Sequence, residues 1–163
     1  MLFFFVLAAA TSIAWLIGRR SSSLRDHARW GMAVAMVVAG LSHLANSEPF
    51  VQHLPDWVPA RELLVYLSGA AEIALGVALV RFPHARRGVG QLLAAYLVAV
   101  FPANLYVAVA DVDVTGQPGG AYAWIRLPFQ ALFIAWALWS TSSPSPAPVV
   151  SPAPEESRPV VAG

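Results

Sequence analysis

Apolar runs near residues 2–17, 30–45, 63–80, 90–110 and 123–139 follow one another with only short polar segments between them. Roughly 20 apolar residues, each rising ~1.5 Å, cross a hydrocarbon core ~30 Å thick. Inside lipid the backbone N–H and C=O groups must be satisfied within the segment, so runs of this length become helices. The expected fold is an all-α membrane protein: a four-helix transmembrane bundle core preceded by one additional N-terminal transmembrane helix, together occupying residues 1–140. The first run lacks the basic stretch that precedes the apolar core of a signal peptide, so it is expected to remain as a span. Residues 141–163 are rich in Pro, Ala and Ser, cannot bury enough apolar surface to offset chain entropy, and are expected to form a disordered cytoplasmic tail.

Composition agrees and removes several chemistries. The 163 residues are 58% hydrophobic and 12% charged, outside the range of ordinary soluble domains. A net charge of +1 with no basic patch gives no footing for nucleic acid. Cysteine is absent, so the chain cannot supply disulfides, thiolate metal ligands or iron–sulfur ligation. A metal site is not expected either, since the membrane interior offers one histidine, His43, where two with a carboxylate would be the minimum.

All ten basic residues are arginine, and seven of them (Arg19, Arg20, Arg25, Arg29, Arg81, Arg86 and Arg87) fall in the first and third connections. The second and fourth connections carry Glu48, Asp56, Glu62, Asp111 and Asp113 against a single Arg61. The positive-inside rule then sets the N-terminus outside and the C-terminus in the cytoplasm of a bacterial inner membrane. The second connection interleaves Phe50, Val51, Leu54, Trp57 and Val58 with Pro49, Pro55 and Pro59. It reads as an interfacial segment without a long helix, either a plain connection anchored by aromatics or a lid over a site beneath it.

Polar residues inside the apolar runs are the chemically informative ones. Glu72 shares a helical face with Ser68 or Gly69 and with Gly76, and His43 lies on a stripe with Gly31, Ala35 and Ala39 at intervals of four. Small residues mark close helix approach, so both side chains should point into the bundle, where an ionised group avoids most of its ~2.5–3.5 kcal/mol membrane penalty. Arg126 and Gln130 are one turn apart in the fifth run, and Asn104 follows Pro102 in the fourth. With the assigned topology all five fall in the outer half, and Glu72 is expected to pair with Arg126. Such a cluster is either a polar lock between helices or a ligand- or proton-handling site. His53 reads as a loop residue, and His27 and His84 as neighbours of arginines on the cytoplasmic face.

The stretches "GLSHL", "HLPDWVPARELLVYLSGAAEIALGVALV", "VFPANLYVA" and "WIRLPFQALFIAWALW" resemble, in order and spacing, the successive signatures of the DoxX-like family of small bacterial membrane proteins, over about residues 30–140. The resemblance implies a four-helix core and carries His43, Glu72, Asn104, Arg126 and Gln130 over as the matching polar positions. It also implies an association with quinone-linked oxidation or membrane oxidoreductase complexes. Three functional readings stay open at this point. One is a quinone-binding membrane subunit working with a redox partner protein, because the chain has no electron carrier of its own. The others are a binding or transport protein for a lipid-like small molecule, and a scaffold whose polar groups only fix helix register. Apart from the lipid bilayer, a homo-oligomer is the remaining partner left open.

Overall fold

In the computed structural model the described residues are 2–18 and 23–142. They form α1 (Leu2–Gly18), α2 (Leu24–Ala45), a short α3 (Glu48–Val51), α4 (Arg61–Arg81), α5 (Arg86–Val109) and α6 (Ala121–Thr141), with a 3-10 turn at Pro83–Ala85. Helices α2, α4, α5 and α6 are long and apolar enough to cross a membrane, and α1 is a shorter apolar helix ahead of them. The expected all-α membrane bundle with an additional N-terminal helix is therefore the observed fold. The expected disordered tail falls, beyond Ser142, outside the described residues.

The second helix begins two turns earlier than apolarity alone suggests. Ser23 Oγ accepts a hydrogen bond from the backbone N–H of Asp26, whose carboxylate accepts one from the Ser23 backbone N–H, forming a capping box that starts α2 at Leu24. Asp26 also takes the Arg29 guanidinium at 2.8 Å, so Arg25 and Arg29 sit on the helix and not in a connection. Arg29 is buried and donates to the carbonyl of Leu79, tying α2 to the end of α4. His27 is likewise buried in α2 and not on an exposed face.

Helix packing follows the small residues, with one correction to the stripe read from sequence. Gly31 faces α1, where a Cβ would collide with Thr11, while α2 meets α4 through Gly40 and Gly69, whose backbones touch. A Cβ at Gly76 would lie 2.8 Å from the Ala33 carbonyl, so glycine is required there too for the two helices to approach this closely. Helix α5 packs chiefly on α6, and the two halves meet along α2–α6 and α4–α5.

One end of the bundle is solid. Met32, Met36, Leu75, Leu79, Leu93, Leu97 and Ala137 form a continuous buried core, and Trp136 donates across it to the Ala28 carbonyl at 3.1 Å. Thr141 fills the space beside Gly90, closing α6 onto α5. At the other end, where α2 and α5 finish and α4 and α6 begin, the halves diverge and leave a cavity roofed by the connections 46–60 and 110–120.

Candidate functional site

The cavity measures about 1490 Å³, more than the ~300–1,000 Å³ of a typical small-molecule site. His43, Glu72, Asn104, Arg126 and Gln130 all line it. Their convergence is what the sequence led one to expect; their pairing is not.

Glu72 and Arg126 do not form the expected ion pair: the ion pairs among the described residues are Arg29–Asp26, His43–Glu72 and Arg61–Asp56. Glu72 is reached first from α5, where Tyr96 donates its hydroxyl to Oε1 at 3.0 Å. Its Oε2 lies 3.3 Å from His43 Nδ1, within ion-pair range but not at a hydrogen-bonding angle, and that oxygen makes no hydrogen bond among the described residues. Ser68 Oγ stands 3.3 Å from the same His43 nitrogen, one turn before Glu72 on α4. The His43 ring in turn meets Phe50 of α3 edge-on, with ring centroids 3.8 Å apart. Helices α2, α4 and α5 thus contribute one polar cluster, and the glycine contacts between α2 and α4 bring His43 within reach of the carboxylate.

Arg126 organises a second cluster against α5 and the two roofing connections. Nη2 donates to Asn104 Oδ1 at 2.9 Å, Asn104 Nδ2 donates to Gln130 Oε1 at 3.2 Å, and Gln130 Nε2 donates to the Leu97 carbonyl at 2.7 Å. From Nη1 the guanidinium reaches Gln117 Oε1 at 2.6 Å and His53 Nε2 at 3.0 Å. His53 Nδ1 lies 2.7 Å from the Pro49 carbonyl, so Nδ1 carries the proton and Nε2 is the acceptor. Burial, and then the Arg126 charge, push the His53 pKa down to about 4, which keeps the ring neutral. The roof is also clamped to itself: Gln52 donates to Thr115 Oγ1 at 2.9 Å and accepts from the Thr115 backbone at 2.7 Å.

The two clusters meet at adjacent residues of α5. Tyr96 turns to Glu72, while the carbonyl of Leu97 takes Gln130. Elsewhere the wall is apolar: Phe4 of α1 packs against Phe129 with centroids 5.2 Å apart, and Phe3 against Phe133 at 4.6 Å, all four facing the cavity. Trp57 lines the roof yet remains 81% exposed.

Sequence reasoning missed Tyr96, His53 and Gln117. Tyr96 carried a usable signal, because a phenol inside an apolar run needs a partner for its hydroxyl. His53 and Gln117 carried none, since both are ordinary connection residues until the chain folds them over Arg126. The second connection does cover the site, which is the lid alternative for that segment. Two histidines and a carboxylate do line one cavity, yet His53 is engaged by Arg126, and no group of three or more His, Cys, Asp or Glu able to hold a metal occurs among the described residues.

No curated protein and no solved structure matches the chain. Residues 32–141, a span that contains all five of the expected polar positions and leaves out α1, match the family model described as "Domain of unknown function (DUF8561)", and the chain belongs to that family.

Proposed function

We propose that this protein binds an amphipathic, lipid-like small molecule within its bundle, in a bacterial inner membrane, with the cavity in the outer half, the N-terminus outside and the C-terminus in the cytoplasm. The observation that carries this reading is the convergence of His43, Glu72, Asn104, Arg126 and Gln130 on the wall of one large cavity whose remaining surface is mostly aliphatic and aromatic. A polar lock between helices needs its groups packed against one another. Here they do contact one another, but they also border a large open space, which favours a ligand over a scaffold. An apolar pocket with a few convergent polar groups is the usual form of a small-molecule site, and intramembrane ionisable residues are functional candidates by default.

A quinone-linked role, in keeping with the DoxX-like resemblance, is the second reading. It is favoured by the Tyr96–Glu72–His43 contact, which gathers a hydroxyl, a carboxylate and an imidazole, the groups that handle protons, at the cavity wall. In that case the electrons come from a redox partner protein, because the sequence has no cysteine to ligate an iron–sulfur cluster and no nucleotide-binding loop.

The test is extraction of the full-length protein in a mild neutral detergent, followed by mass determination of co-purified small molecules. Wild type and Val100→Trp are compared, the latter putting an indole into the cavity. A molecule retained by wild type and lost from a folded Val100→Trp variant supports the reading, and its mass separates a quinone from other amphiphiles. Wild-type protein that retains nothing, and takes up neither a quinone nor a lipid when these are added, refutes both readings.

A further inference from the structure

We infer that the ligand carries an oxyanion head group, a carboxylate or a phosphate, bound by Arg126, with its apolar chain lying against the Phe4–Phe129 and Phe3–Phe133 walls. The inference rests on the cavity being a binding site and adds the chemical class of what enters it.

Among the arginines of the described residues, Arg126 is the one on the cavity wall. Its guanidinium donates to neutral acceptors, His53 Nε2, Gln117 Oε1 and Asn104 Oδ1, and its carbon lies over the Tyr122 ring, 5.9 Å from the centroid. The carboxylate on the cavity wall is engaged elsewhere, since Glu72 takes the Tyr96 hydroxyl on one oxygen and turns the other, buried, toward His43. A guanidinium has five N–H donors, and those contacts use both hydrogens of Nη1 and one of Nη2. The Nε hydrogen and the second Nη2 hydrogen have no acceptor among the described residues. A pair of guanidinium N–H groups is the fork that binds carboxylate and phosphate oxygens.

The fork is also held in place before any ligand arrives. His53 is fixed by the Pro49 carbonyl, and Asn104 by Gln130, which is anchored in turn on the Leu97 carbonyl. A half-buried cation whose hydrogen-bond partners are all neutral carries a desolvation cost that an anion offsets. A neutral head group would leave that cost in place, and a cationic one would add to it.

The experiment titrates full-length protein in a neutral maltoside detergent with four C16 probes: palmitate, hexadecyl phosphate, hexadecanol and hexadecyltrimethylammonium. Wild type, Arg126→Lys and Arg126→Gln are compared. Wild type should bind at least one oxyanion probe about tenfold or more tighter than the alcohol, with the ammonium weakest. Arg126→Gln should erase that preference while the alcohol still binds, and Arg126→Lys should keep part of it. Preference for the phosphate points to a phospholipid-derived anion and preference for palmitate to a fatty acid. Either supports the inference.

Wild type that binds palmitate, phosphate and alcohol alike overturns the head-group assignment and leaves the cavity reading standing. Wild type that binds none of the four overturns both. If Arg126→Gln does not fold, the head-group comparison on wild type still decides.

Discussion

Replacing Gly69 by Ala adds one methyl group to the α2–α4 contact, and its effect can be worked out against the same change at Gly88. In a helix interior, Gly→Ala is favourable by ~1 kcal/mol from chain entropy and propensity alone. At Gly69, however, the new Cβ would stand 2.7 Å from His43 Cβ and 2.9 Å from the Gly40 carbonyl oxygen. Neither can swing aside: one is fixed to the backbone and the other belongs to it. Ordinary contact begins at 3.4 Å, so the helices must part by about 0.7 Å at this level. Overpacking of this kind costs typically 1–3 kcal/mol. The steric term offsets or exceeds the gain, and Gly69→Ala should lose up to about 2 kcal/mol net while moving His43 off its 3.3 Å approach to Glu72. At Gly88 a Cβ meets nothing within 4 Å, so Gly88→Ala should gain ~0.4–1 kcal/mol. Equilibrium unfolding in mixed micelles with increasing dodecyl sulfate, followed by circular dichroism, measures both. A Gly69→Ala protein as stable as Gly88→Ala would refute the close approach of α2 and α4.

Acidification should release the roof. The His53 pKa in the folded protein is about 4, below its ordinary 6.5, so the opened connection binds the extra proton first. The stabilising contribution is complete above pH 6.5 and is lost as pH falls toward 4, reaching ~3 kcal/mol at the limit. The groups facing the ring are Arg126, the Pro49 carbonyl and Phe50, with His43 close enough to interact electrostatically. Limited proteolysis between residues 46 and 60 should therefore accelerate as pH drops through this window, and His53→Gln should flatten the profile. An unchanged pH response in His53→Gln would assign the effect to another group. Separately, Tyr96→Phe removes the hydrogen bond that Glu72 receives, at a cost of ~1–3 kcal/mol. The double variant with Glu72→Leu should cost less than the sum of the single changes, and strict additivity would show that the two side chains do not interact.

The bundle was legible in the sequence because lipid leaves a run of ~20 apolar residues no alternative to a helix. The five interior polar positions were legible for a related reason: a charge or amide that cannot face hydrocarbon must face protein, so Glu72, Arg126, His43, Asn104 and Gln130 had to point inward. Which of them touch is another matter. That depends on how two helices slide and rotate against each other by a few ångströms, which helical periodicity does not record. The Gly40–Gly69 contact sets His43 beside Glu72, α5 inserts Tyr96 where Arg126 was expected, and the folded-over connections deliver His53 and Gln117 to the arginine. Sequence by itself determined that polar groups would gather inside an apolar bundle, since solvation is a property of each residue. Only the tertiary structure decided that they border a cavity in two separate clusters, because hydrogen-bond partners are chosen by distance and angle between elements far apart in the chain.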